Sequence, residues 1–221
     1  MKHINYTHLS ELFISERDKK IYDRMISKRQ LDTEQLSELY ALNLLLGKEL
    51  YLIIYQLEKL FKYKFHQKMV SKLGSPNWFN TIEWSDEVLH ILENKASIMP
   101  NPITPEHLWD ALPLAFLKHL FDHEYVHTLF YDGIDTLFDN YPQKLKLHRS
   151  TLKKIIARAG ILKNEIVFGN VIINSGQLLL HDYRKFMQFI YWLDKDYFFM
   201  TARLTRFIDY YRMLVELDKK G

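Results

Sequence analysis

From Leu36 to Phe65 the apolar residues Leu36, Leu39, Leu46, Leu50, Ile53, Leu57, Leu60, Phe61 and Phe65 recur at steps of three and four. That spacing places them on one face of an α-helix, whereas a strand would alternate them. The stretch opens on Asp32-Thr33-Glu34-Gln35. A short polar cap followed by an acid suits the unpaired N–H groups and the positive end of a helix dipole. It closes at Gly74-Ser75-Pro76. One spine helix over 32–73 is predicted, about forty residues and roughly 60 Å long at the α-helical rise, and a chain with so long an amphipathic helix folds as a bundle around it. Asn43, Glu49, Glu58 and His66 are embedded in the spine and need partners wherever they face inward.

The remainder of the chain supports an all-α bundle. Seven Gly and six Pro against 14 Phe and 14 Tyr leave few turn formers for a β-sandwich. Residues 1–30 read as N-terminal helices with a weak break near Ser15 and with Leu9, Leu12, Phe13, Ile21, Tyr22, Met25 and Ile26 as their buried set. Helices are also predicted over 86–96, over 107–130 with a softening at Pro113, over 178–193 and over 196–217. Pro100-Asn101-Pro102 and Asn140-Tyr141-Pro142 read as turns. With no strand, repeat or linker, the expected organisation is a single domain over 1–221.

Without cysteine the chain has neither disulfides nor thiolate metal sites. No stretch approaches the roughly eighteen uncharged apolar residues of a membrane span, and Met1–Phe13 has no signal-peptide core. A cytoplasmic protein with no membrane partner is the expectation. The net charge is only +3, but Lys144, Lys146, His148, Arg149, Lys153, Lys154, Arg158 and Lys163 follow one another without an intervening acid in that set. Clustered cations of this kind gain by displacing counterions from a phosphate backbone. A solvated helix face is the simpler account of the same run.

Two short motifs could carry chemistry. His123-Glu124-Tyr125-Val126-His127 is an H-E-x-x-H on a predicted helix. Two histidines four residues apart can ligate zinc, and the glutamate can act as base on the bound water. His119 could extend that face, but the residues after His127 lack the spacing of a third ligand. An adventitious histidine-rich surface is therefore the competing account, and no cofactor is expected.

The second motif begins at Lys163-Asn164 and runs through Phe168-Gly169-Asn170. Three passages carry a resemblance. Leu39–Leu44 followed by Leu57–His66 resembles a long helix with "YxWN" and "LExxLRNxxH" pieces. Gly74-Ser75-Pro76-Asn77-Trp78-Phe79 resembles a "GSPxWW" turn, with Leu112–Leu120 similar to the helix that follows it. His148 to Ile172 resembles a segment ending in "LRNRIAHHEPI". Together they resemble the Abi-like proteins of bacterial phage-abortive systems, whose domain belongs to the HEPN superfamily of RN-x-x-x-H ribonucleases.

The resemblance implies a HEPN-like helical bundle, metal-independent RNA cleavage, and a homodimer or partner protein. Lys163 stands at the motif's arginine and Asn164 at its asparagine, while Phe168 and Gly169 stand where two histidines belong. Glu58 and His66 match the long helix, and Lys62 and Tyr63 replace its arginine and asparagine. A base, an acid and a cation are what such cleavage needs, and neither Phe nor Gly transfers a proton.

Three functions follow. The first is a catalytically degenerate module of phage-defence or toxin–antitoxin type that binds RNA or a protein, with Lys62, Lys146, Arg149, Lys153, Lys154 and Arg158 as its cations. The second is an active endoribonuclease using Lys163, Asn164, Glu58 and His66, or a recruited His148 or His181. The third is a zinc hydrolase through His123, Glu124 and His127.

Overall fold

The computed structural model describes residues 16–29, 32–99, 104–142, 145–173 and 176–219. The expected break near Ser15, the core positions Leu9, Leu12 and Phe13, the turn at 100–102 and Lys144 lie outside them. The described residues are helical, with no strand among them. Their helices are α1 (Glu16–Arg29), α2 (Thr33–Leu73), α3 (Asp86–Ser97), α4 (Pro105–Ala111), α5 (His123–Leu129), α6 (Arg149–Val167), α7 (Gly176–Leu193), α8 (Lys195–Leu204) and α9 (Phe207–Asp218). Three 3-10 segments, Trp78–Thr81, Leu114–Phe121 and Ile134–Leu137, join them. The chain divides into two compact units: residues 1–55, 161–187 and 199–221 form one, and 56–160 with 188–198 form the other.

Helix α2 runs for 41 residues. Its start is a reciprocal cap: Gln35 N donates to Asp32 Oδ1 at 2.8 Å, and Asp32 N donates to Gln35 Oε1 at 3.0 Å. It ends at Gly74, which takes a φ of 67° that a side chain would resist.

In the first unit Leu39, Leu42, Leu46, Leu50 and Ile53 of α2 are buried, as are Tyr22, Leu162, Ile172, Phe186 and Phe207. Buried polar groups of this unit bind backbone. Asn43 Oδ1 accepts from Ile172 N at 2.9 Å, and Asp18 Oδ1 accepts from Val171 N at 3.1 Å. Glu49 Oε2 accepts from Arg206 N at 2.7 Å and from the Thr205 hydroxyl at 3.0 Å. That carboxylate sits at the gap between α8 and α9. The single helix expected over 196–217 is therefore two, because a buried acceptor satisfies the backbone where the first one stops.

The second unit is built on aromatic rings. Phe61 packs against Phe121 and Phe189, and Phe65 against Trp78, Trp109 and Phe130. Most of these ring pairs are tilted or edge-on, as the ring quadrupole favours. The helix expected over 107–130 is broken twice here. Leu112, which precedes Pro113, is extended at ψ 138° because the proline ring excludes the helical region. The eight residues from Leu114 then form a 3-10 segment that stops at the extended Asp122.

Candidate functional site

The motif segment occupies the end of α6 in the first unit. Gly169 N donates to Ile166 O at 3.0 Å and Asn170 N to Glu165 O at 2.9 Å, with Gly169 at φ 71°. This pair of bonds around a left-handed residue is a Schellman cap. Lys163 is half-buried and interacts within the chain, and Asn164 is exposed. Phe168 is 78% exposed. Positions 168 and 169 thus end the helix, and neither side chain is a proton donor or acceptor. Beyond them the chain is held down by Asn43 and Asp18.

Glu58 and His66 belong to the second unit, where they share a face of α2 with Lys62 at four-residue spacing. Lys62 Nζ donates to Leu112 O at 2.6 Å and Asp110 O at 2.8 Å, and pairs with Glu58 Oε1 at 3.2 Å. Its three N–H bonds are all directed inward, and the residue is 5% exposed. Burial lowers its pKa, against the opposing pull of Glu58. Lys62, expected as a nucleic-acid contact, is instead the cation that caps the carbonyl end of α4.

His66 Nδ1 accepts the indole N–H of Trp78 at 3.1 Å. In the neutral ring that bond puts the proton on Nε2. Nε2 makes no hydrogen bond among the described residues and is not sealed from solvent. Lys59, Lys62, Tyr63 and His66 of α2 meet Glu106, Trp109 and Asp110 of α4 around a cleft of about 280 Å³. Pro105 at the start of α4 and the Thr104 side chain, accepting from His107 N at 3.2 Å, fix that helix's entry. The sequence marks Lys62 and His66 but not Tyr63's place in a cleft, nor Lys59, Glu106, Trp109 and Asp110. The i,i+4 pairing of the two acids is a local signal, but their meeting with α2 is not.

A second cleft of about 350 Å³ contains Lys64, Lys68, Lys72, Tyr131, Asp132 and Asp139. Here the lysines are matched by acids. Lys68 pairs with Asp132 at 3.0 Å, and Lys64 with Asp139 at 2.8 Å and Asp194 at 3.3 Å. Lys72 donates to Leu129 O at 2.9 Å and lies 3.6 Å from the centre of the Tyr131 ring.

The basic run separates on folding. In the second unit Lys146, His148 and Lys154 are exposed, while Arg149 and Arg158 are half-buried. Lys153 is drawn to Asp122, whose other oxygen is 3.0 Å from His119 Nδ1. Burial would raise the Asp122 pKa, but its bonds to Lys153 and His119 outweigh that and lower it. Arg149, Lys146 and Lys154 have no ion pair among the described residues.

His123 and His127 lie on consecutive turns of α5, ring centres 5.9 Å apart, and both are exposed. Among the described residues no group of three or more His, Asp or Glu side chains is placed to hold a metal ion. Tyr125 between them is buried, accepting from Ser85 N at 2.7 Å, so this helix is oriented by its tyrosine. His181, on α7, is exposed. No described helix is long and apolar enough to cross a membrane. Compared with protein-family models, with curated proteins and with solved structures, the chain finds no match in any of the three.

Proposed function

We propose that this chain is an RNA-binding module of the Abi-like HEPN type that does not cleave its ligand. The end of α6 carries the reading. The two positions where the resemblance asks for histidines form a Schellman cap, one an exposed phenylalanine and the other a glycine at positive φ. Lys163 and Asn164 keep a charge and an amide beside a place with no proton-transfer group of its own. The uncompensated cations Lys146, Arg149 and Lys154 support phosphate binding, because a cation without an internal partner has a counterion to release.

The test is a single-stranded RNA incubated with the chain, with and without EDTA, beside a binding titration at several salt concentrations. Intact RNA in both conditions and an affinity falling with salt are expected. Lys146→Ala, Arg149→Ala and Lys154→Ala should each reduce the salt slope by about one, as for the loss of one phosphate contact. Lys153→Ala should change it less, since Asp122 already holds that ammonium. Cleavage that survives EDTA would overturn the non-cleaving part, and salt-independent or absent binding the RNA part. Sedimentation of the same sample tests the dimer that the resemblance implies.

A further inference from the structure

The cleft between α2 and α4 has a composition that selects its occupant. Its lysine at the base, Lys62, has every N–H committed to protein acceptors, so Lys62 itself has no donor left for a ligand. The carboxylates of Glu106 and Asp110 make no hydrogen bond or ion pair among the described residues, and both residues are exposed, one helical turn apart. Opposite in character is His66, whose Nε2–H is a donor because Trp78 occupies Nδ1. Tyr63, 61% exposed, contributes an uncovered ring and Lys59 a cation on the same side of α2.

A ligand that uses these groups together presents donors to a carboxylate, an acceptor to an imidazole N–H and a flat face to the Tyr63 ring. Guanine does both: N1–H and the N2 amino group suit a carboxylate, and O6 and N7 accept. Adenine offers the acid only its N6 amino group and sets the N1 lone pair beside it, where guanine offers two adjacent donors. A guanidinium, all donors, leaves His66 without an acceptor. A metal is disfavoured because, among the described residues, no three His, Asp or Glu side chains are placed to hold one. We propose that this cleft binds an unpaired guanine base, with Glu106 or Asp110 taking the N1–H and N2–H edge, His66 Nε2–H donating to the opposite edge, Tyr63 stacking and Lys59 meeting the attached phosphate.

The base could come from a free nucleotide or from an RNA strand. Only the strand form rests on the proposed RNA binding. The experiment is calorimetric titration of the full chain with GMP, AMP and agmatine, and with six-nucleotide RNAs with and without a single G. GMP should bind at least tenfold more tightly than AMP, and agmatine should not compete. Glu106→Gln or Asp110→Asn, both at exposed positions, should remove the preference for GMP. Tyr63→Ala should weaken either nucleotide about tenfold, as for loss of one stacking partner. Circular dichroism checks that each variant is folded.

Failure of millimolar GMP to bind, equal affinity for AMP, or agmatine binding more tightly than GMP overturns the inference, the last pointing to an arginine of a protein partner. A G-independent RNA affinity with no GMP binding sinks the cleft assignment and leaves the RNA reading standing. GMP binding without RNA binding supports the cleft and sinks the RNA reading.

Discussion

Lys62 and Lys68 lie within about two turns of one helix, yet their ammonium groups meet opposite fates. Lys62 is directed inward to two carbonyls and one carboxylate. Lys68 stays at the rim with Asp132, whose side chain is 37% exposed. The cleft beside Lys62 is left with two carboxylates and a histidine N–H that make no hydrogen bond or ion pair among the described residues, while in the cleft beside Lys68 each lysine is paired, Lys68 and Lys72 sharing Asp132. A lysine's position in the sequence therefore says little about what it can bind. What matters is which of its N–H groups remain after the fold has used the others.

This contrast can be broken most directly at Lys62. Lys62→Met should cost about 3–5 kcal/mol in chemical denaturation, since it leaves the Glu58 carboxylate buried without that cation. A Glu58→Gln, Lys62→Met double variant should cost clearly less than the sum of the singles. Additive losses would show that the two groups do not depend on each other.

Trp78→Phe should cost about 2 kcal/mol, combining lost ring packing with the lost bond to His66. It should also free the His66 tautomer, which nitrogen-15 shifts of the imidazole would register. Unchanged shifts would remove the basis for placing the proton on Nε2.

A smaller effect is expected at Asp194, which accepts from Tyr197 N at 2.9 Å at the start of α8 and pairs with Lys64. The Tyr197 backbone bond is the first cause of its lowered pKa, with the Lys64 pair adding to it against burial. A carboxylate with a lower pKa when folded stabilises fully above its unfolded pKa, and the gain is lost as pH falls through the folded pKa. Asp194→Ala should thus cost about 1 kcal/mol at neutral pH and flatten the acid limb of a stability-against-pH curve. An acid limb unchanged by the variant would reject that linkage. Asp132→Asn, at the exposed rim, should cost less than about 1 kcal/mol, and the difference should shrink in high salt. A larger, salt-insensitive loss would make the rim pair resemble Lys62 and erase the contrast.

Several features of the fold were legible locally. The Asp32–Gln35 cap, the apolar spacing of α2 and its stop at Gly74 depend on residues within a few positions of one another, and the structure has them. The breaks in the later helices were less legible. Pro113 signals the interruption before the 3-10 segment, where Leu112 is extended, but no local residue signals the second one at the extended Asp122. Nothing between 196 and 217 announces the gap at Thr205, because the acceptor that makes it tolerable, Glu49, is more than 150 residues away.

The candidate site divides in the same way. Sequence alone determined that this chain is helical, that α2 is long, and that positions 168 and 169 hold no proton-transfer group, since periodicity, capping and residue chemistry act over one or two turns. Only the tertiary structure decided that Lys62 is a buried cap, that Lys153 is held by Asp122, and that Glu106 and Asp110 meet His66 across a cleft. The physical reason is that a side chain's chemistry depends on the donors, acceptors and solvent around it, and packing brings those from distant parts of the chain.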